Sequence, residues 1–217
     1  ILNISWMSGA SKIPFFPADD YPALPELGDM AISATFPSPI LLTGINNTIY
    51  ATAEDEIRPV MNGIFFDMTP ESTTLVATDS HKLVYYTRND VKAAEKCSFI
   101  LPKKPAAILR TLLGKSDDIV KVTFDMKNAY FEFEGNILIC RLQEGTYPAY
   151  RSVIPKNNPN KLVISRVQLL NAVKRVAVCS NQSTSHVKLS LSFNKLVISA
   201  SDTNFSMSAH ETLDCSY

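Results

Sequence analysis

Arg58-Pro59-Val60-Met61-Asn62-Gly63-Ile64-Phe65-Phe66, followed beyond Thr69-Pro70-Glu71-Ser72 by Leu75-Val76-Ala77-Thr78-Asp79-Ser80-His81-Lys82-Leu83, decides the fold class. Aromatic and β-branched residues flank a run of turn formers, which is the pattern of an antiparallel hairpin. The same pattern continues outward. Thr73 to Asp79, Lys82 to Thr87, Ile119 to Asp125, Tyr130 to Glu134 and Asn136 to Leu142 read as short strands. Lys121-Val122-Thr123-Phe124-Asp125 alternates as a strand with one wet face should.

Three segments carry helical spacing instead. The first starts at Ser38, read as a cap with Pro39 at the first helical position, and places Ile40, Leu41, Gly44, Ile45, Thr48 and Ile49 on one side. The second runs from Pro105 to Gly114 with a stripe of Ile108, Leu109, Leu112 and Leu113. The third follows Ser165, with Leu169, Leu170, Val173, Val176 and Ala177 together. At about 100° per residue, Arg110 points away from the stripe of the second helix, and so does Lys103 if the turn before Pro105 is helical. Arg175, Gln168 and Asn171 do so on the third, with Lys174 on its flank. Neither face carries the acids that pair with lysine on an ordinary exposed helix. Two such faces point to a polyanionic partner.

A helix followed by a hairpin recurs at domain-sized spacing. Val187 lies 126 positions beyond Met61, and Ala200 lies 123 beyond Ala77, so a shorter turn is expected in the second hairpin. Charge is uneven although the chain balances 21 basic against 21 acidic residues. Residues 1–57 hold one cation, Lys12, whereas 161–201 hold Lys161, Arg166, Lys174, Arg175, Lys188 and Lys195 with no acid.

At 217 residues and 46% hydrophobic content, the chain suits one large domain or two smaller ones, and disorder drops out. No apolar run is long enough to cross a bilayer, and no secretion signal is read, so no membrane association is expected. Cys97, Cys140, Cys179 and Cys215 are scattered, without metal-ligand spacing. Reduced thiols in the cytoplasm are expected, with no metal and no cofactor. Thr78-Asp79-Ser80-His81 brings a hydroxyl, a carboxylate and an imidazole together, but neighbours on a strand face opposite ways and make no catalytic relay. An enzyme is not expected. The opening Ile1 to Trp6 alternates like the middle of a strand, so the start is read as a cut.

Three stretches, Arg58 to Phe66, Leu75 to Leu83 and Leu101-Pro102-Lys103-Lys104, resemble the central domain of the bacterial sliding clamp, the beta subunit of DNA polymerase III. Gln143 to Pro155 resembles the join between its central and third domains. Val176 to Asn181 and Leu196 to Asp202 resemble the opening of its third, and Asp19-Asp20-Tyr21-Pro22 the end of its first. The resemblance implies an α+β DNA-clamp fold of repeated domains, each with two helices packed on antiparallel β-sheets. Residues 1–28 would end the first domain, 29–159 form a complete central domain and 160–217 begin a truncated third.

The family's function, by the same resemblance, is a non-catalytic one. A ring-shaped homodimer of the full-length protein encircles double-stranded DNA and tethers the replicative polymerase for processive synthesis. Lys103, Lys104, Arg110, Lys174 and Arg175 are the candidate DNA contacts. A second site captures short peptide motifs of the DNA polymerase III alpha subunit, the clamp loader, other polymerases and repair proteins. Its matching positions are Arg58, Met61, Thr78, Ser80, His81, Lys82, Leu83, Pro148 and Val153. Met61, Leu83, Pro148 and Val153 would form an apolar floor, and Arg58, His81 and Lys82 a polar rim. Ser80 stands where the family usually has glycine, Lys82 and Ser152 where it usually has arginine, and the first helix lacks cations.

Overall fold

Residues 1–114 and 116–217 are described by a computed structural model. They divide into two compact units, Ile1–Tyr150 and Arg151–Tyr217.

The first unit opens with an antiparallel hairpin, β1 (Leu2–Trp6) and β2 (Gly9–Ile13), whose side chains are mostly exposed. Two passes of one pattern follow: a strand, a helix and three strands. The first is β3 (Ile32–Pro37), α1 (Ser38–Thr48), β4 (Gly63–Met68), β5 (Thr73–Thr78) and β6 (Leu83–Arg88). The second is β7 (Cys97–Pro102), α2 (Lys103–Leu113), β8 (Ile119–Phe124), β9 (Asn128–Phe133) and β10 (Asn136–Arg141). The passes interlock. β3 joins the later strands in the order β10-β9-β8-β3, and β7 joins the earlier ones in the order β6-β5-β4-β7. Every pairing is antiparallel.

Each helix starts without a break from its strand, and this moves both expected helix starts. Ser38 is not a cap but lies inside α1, after Pro37. Its N–H donates to the Asp118 carbonyl at 2.9 Å, and its buried hydroxyl meets that of Ser116 at 3.2 Å. α2 begins at Lys103 rather than Pro105, because the Lys103 N–H is taken by the Asn62 carbonyl at 3.0 Å. A strand partner thus satisfies the helix-terminal donor that a capping side chain would otherwise accept.

An aromatic chain ties the two sheets together. Phe66 of β4 stacks on Phe99 of β7 with ring centres 4.5 Å apart, and meets Phe36 of β3 edge-on at 6.2 Å. Phe99 in turn touches Phe124 of β8 at 4.5 Å. The helices complete this core with Leu41 and Ile45 from α1 and Ala106, Leu109 and Leu113 from α2. The stripe of α2 is therefore narrower than its spacing implied. Ile108 and Leu112 each remain 41% exposed at its margin, because the sheet covers only the face centred on Leu109.

The second unit holds α3 (Arg166–Ala177) against a three-stranded sheet in the order β11 (Lys188–Ser192), β12 (Lys195–Asp202) and β13 (Met207–Asp214). Here the cap is made: the Ser165 hydroxyl accepts the Gln168 N–H at 3.4 Å. Ala172, Val176, Leu196, Ile198 and Ala200 form the core, while Leu170, expected among the inward residues, is 43% exposed. A helix over three antiparallel strands repeats the α1, β4, β5 and β6 arrangement. The second hairpin has the shorter turn, with Phe193 and Asn194 between paired Ser192 and Lys195. The earlier one spans Thr69 to Ser72, between paired Met68 and Thr73.

Burial separates the four thiols. Cys97 and Cys140 are buried, and burial pushes the Cys140 thiol up to about 11. A raised folded-state value favours the native fold below the unfolded thiol's titration, and that contribution is lost as pH rises towards 11. At pH about 8, an aromatic disulfide reagent is expected to label partly exposed Cys179 and Cys215 in native protein and the other two only after unfolding. Rapid native labelling of Cys140 would contradict this placement.

Candidate functional site

β5 ends at Thr78 and β6 begins at Leu83, which face each other across the ladder, so residues 79–82 form the connecting turn. Asp79 builds that turn. Its Oδ1 accepts the N–H groups of His81 at 3.0 Å and Lys82 at 2.9 Å, and its Oδ2 accepts from the Lys82 ammonium. The Lys82 side chain, then these backbone donors, hold the Asp79 carboxyl well below the usual carboxylate range. The Thr78 hydroxyl donates to the Lys82 carbonyl at 2.7 Å and accepts the Ser80 N–H at 3.1 Å. Ser80 consequently sits in the left-handed region, at φ 78°.

Beside this turn lies the segment that enters β4. Arg58 directs Nε and Nη2 at Asp55 Oδ2, at 3.0 and 2.9 Å, and Nη1 donates to the Ser80 hydroxyl. Asn62 holds the Asp55 backbone from both sides, at 3.0 and 2.8 Å. The Ser80 hydroxyl also donates to the Met61 thioether at 3.6 Å. Arg58, Met61, Thr78, Ser80, Lys82 and Leu83 are thereby gathered into one network. Thr78 is buried, Met61 and Leu83 half-buried, and Arg58, Ser80, His81 and Lys82 exposed.

Pro148 is held by its neighbours. Tyr147 stacks on Phe65 at 4.6 Å, and the Tyr150 hydroxyl donates to Asp67 at 2.8 Å. Gly145, at φ 122°, brings backbone against Val60, next to Met61; a β-carbon there would meet Val60 Cγ1 at 2.7 Å. Only glycine fits that close approach. Val153 belongs to the second unit and is 68% exposed.

Two groups of the Thr78–His81 stretch serve the turn. The Thr78 hydroxyl and the Asp79 carboxylate are both committed to holding the backbone. Asp202 plays a similar part in the second unit, accepting the Asn204 N–H at 2.8 Å.

The five candidate DNA cations differ in what they meet. Lys104 and Arg110 of α2 and Lys174 of α3 are exposed and have no carboxylate partner among the described residues. Lys103 is paired: its Nζ lies 2.6 Å from Glu54, whose carboxyl it holds below the ordinary range. Arg175 departs from its expected outward course and forks onto Glu211 of β13, at 3.0 and 2.6 Å. Inward-facing Glu211 was not legible as its partner, because it lies 36 residues away, in a strand with little apolar content. α1 contributes no cation.

Two further clefts border the Asp125–Lys127 turn of the first unit, of about 360 and 560 Å³. They were not anticipated, and neither includes a candidate peptide-site residue. Among the described residues there is no grouping of side chains suited to a metal ion, and no helix long and apolar enough to cross a membrane.

Comparison with known proteins gives a consistent result. The family described as DNA polymerase III beta subunit, central domain, matches residues 35–149, and its C-terminal domain matches 151–217. The beta sliding clamp of Haemophilus influenzae is 30% identical over 202 residues, covering 93% of this chain and 54% of the relative. Among solved structures, the DNA polymerase III beta subunit of Pseudomonas aeruginosa superposes with a TM-score of 0.90 at 24% identity, over 99% of this chain and 58% of that one. The sliding clamp of Bartonella birtlesii, crystallised with griselimycin, gives 0.88 at 26% identity, over 99% and 59%. The chain spans about half the length of the curated relatives it matches.

Proposed function

Because this chain belongs to the DNA polymerase III beta-subunit family, we propose that its full-length protein is a sliding clamp, a ring-shaped homodimer that encircles duplex DNA and tethers the replicative polymerase. It does this as a cytoplasmic, non-catalytic factor. On this reading residues 1–28 close a first clamp domain, 29–159 are the central domain and 160–217 open a third. The peptide site of the first unit receives short motifs of the polymerase alpha subunit, the clamp loader and repair proteins. Val153 is assigned to it by resemblance alone.

The observation that carries the DNA reading is that Lys104 and Arg110 of α2 are exposed and have no carboxylate partner among the described residues. Lys174 supplies the corresponding charge on α3. Contacts of this kind go to phosphate, carry no base preference and weaken with salt, which suits a ring that must glide. Lys103 and Arg175 contribute less, since each already has a carboxylate.

Topological tethering has a direct test. Full-length protein loaded by its clamp loader onto nicked circular DNA is expected to persist through a high-salt gel-filtration column and to be lost once the DNA is linearised. Equal retention on both forms would refute encirclement.

A further inference from the structure

The rim of the candidate peptide site carries two cations, and each is already neutralised inside the chain. We infer that Asp55, Asp79 and Ser80 make this rim electrically neutral and pin Arg58 in place, so that the site selects short peptides by apolar anchors and uncharged flanks. The inference rests on the peptide-site reading above.

Arg58 has five N–H donors. Asp55 Oδ2 accepts the Nε hydrogen and lies 2.9 Å from Nη2, and the Ser80 hydroxyl accepts one hydrogen from Nη1. The Nε–Nη2 edge, one of those that could grip a partner carboxylate in two-pronged fashion, thus already faces Asp55. Lys82 is engaged by Asp79. An acidic residue arriving at either cation meets a carboxylate already there and must share the cation with it. That added contact returns little free energy near solvent.

Ser80 is the residue on which the arrangement turns. Its φ of 78° lies where glycine moves freely and a residue with a β-carbon is strained. The same conformation delivers the hydroxyl to both the Arg58 guanidinium and the Met61 sulfur. Ser80 therefore joins the polar rim to the apolar floor and acts as a positioning residue for both. With glycine at this position the chain would keep the turn and lose the clip on Arg58.

The probes are two fluorescein-labelled synthetic nonapeptides ending in Leu-Phe, one with uncharged flanks and one with two aspartates in the flank. Each is titrated against full-length protein by fluorescence anisotropy, in about 50 and 500 mM NaCl. The two are expected to bind within about threefold of each other, each changing less than about threefold with salt. Ser80→Gly is expected to give the acidic peptide an advantage of about fivefold or more at low salt, and Asp79→Asn to act in the same direction. A merely structural role for Ser80 would alter melting temperature, or both affinities equally, and leave the charge preference unmoved; that outcome overturns its positioning role. A wild-type preference for the acidic peptide of about tenfold or more, fading with salt, overturns the neutral rim while leaving the peptide site intact. Binding of both peptides that ignores Leu83→Ala would place them elsewhere and overturn the site itself, and this inference with it.

Discussion

Phe66→Ala is expected to cost the first unit about 4 kcal/mol, a large part of the total stability of an ordinary domain. Phe66 is fully buried on β4 and stacks on Phe99 while meeting Phe36 edge-on. Phe36 and Phe124 belong to one sheet, Phe66 and Phe99 to the other, so Phe66 makes one ring contact between the sheets with Phe36 and supports Phe99, which makes the other with Phe124. Removing it discards the burial of a whole aromatic side chain and two ring contacts. It leaves a cavity between sheets whose backbones, pinned by antiparallel ladders, cannot close in to fill it. Urea denaturation followed by far-ultraviolet circular dichroism is the measurement, with the midpoint falling and the slope unchanged. A loss under about 1 kcal/mol would mean that the aromatic chain is not what holds the sheets together.

The second large effect concerns recognition. Leu83→Ala and Met61→Ala are each expected to weaken binding of a Leu-Phe peptide by about 2 kcal/mol, roughly thirtyfold. Both side chains are only half-buried in the free chain, so they retain apolar surface to give to a partner. Leu83 is fixed by its ladder position opposite Thr78, and Met61 by the Ser80 hydroxyl and the helical turn it closes. A floor that needs no rearrangement before binding is the condition under which apolar anchors contribute most. Isothermal titration of both variants decides the matter: affinities within about twofold of wild type in both would remove the site from this face.

The candidate site was legible in proportion to how local its interactions are. Asp55 with Arg58 and Asp79 with Lys82 lie three residues apart, within reach of sequence reasoning. Lys103 with Glu54, 49 positions apart, and Arg175 with Glu211, 36 apart, were beyond it. Helical spacing states which way a side chain leaves its helix. It does not state which carboxylate another strand brings alongside, and that carboxylate decides whether a cation is available to phosphate.

The fold divides in the same way. Period-two alternation in Lys121 to Asp125 and apolar spacing in the three helices were sufficient to establish their type, because burial of one face is imposed by neighbours along the chain itself. β7 was not legible: five of its six residues, all but Ser98, are buried or half-buried, and a continuous apolar run shows no period. β13 was hidden for the opposite reason, as its inward positions include Glu211. The sequence by itself determined an α+β chain of repeated helix-and-hairpin units with cationic helix faces. Only the tertiary structure decided that β3 and β7 change places between the sheets, that both central helices start directly from their strands, and that two of five candidate cations are already paired. Those outcomes depend on hydrogen-bond and charge partners drawn from distant parts of the chain, whose proximity exists only once the core has closed.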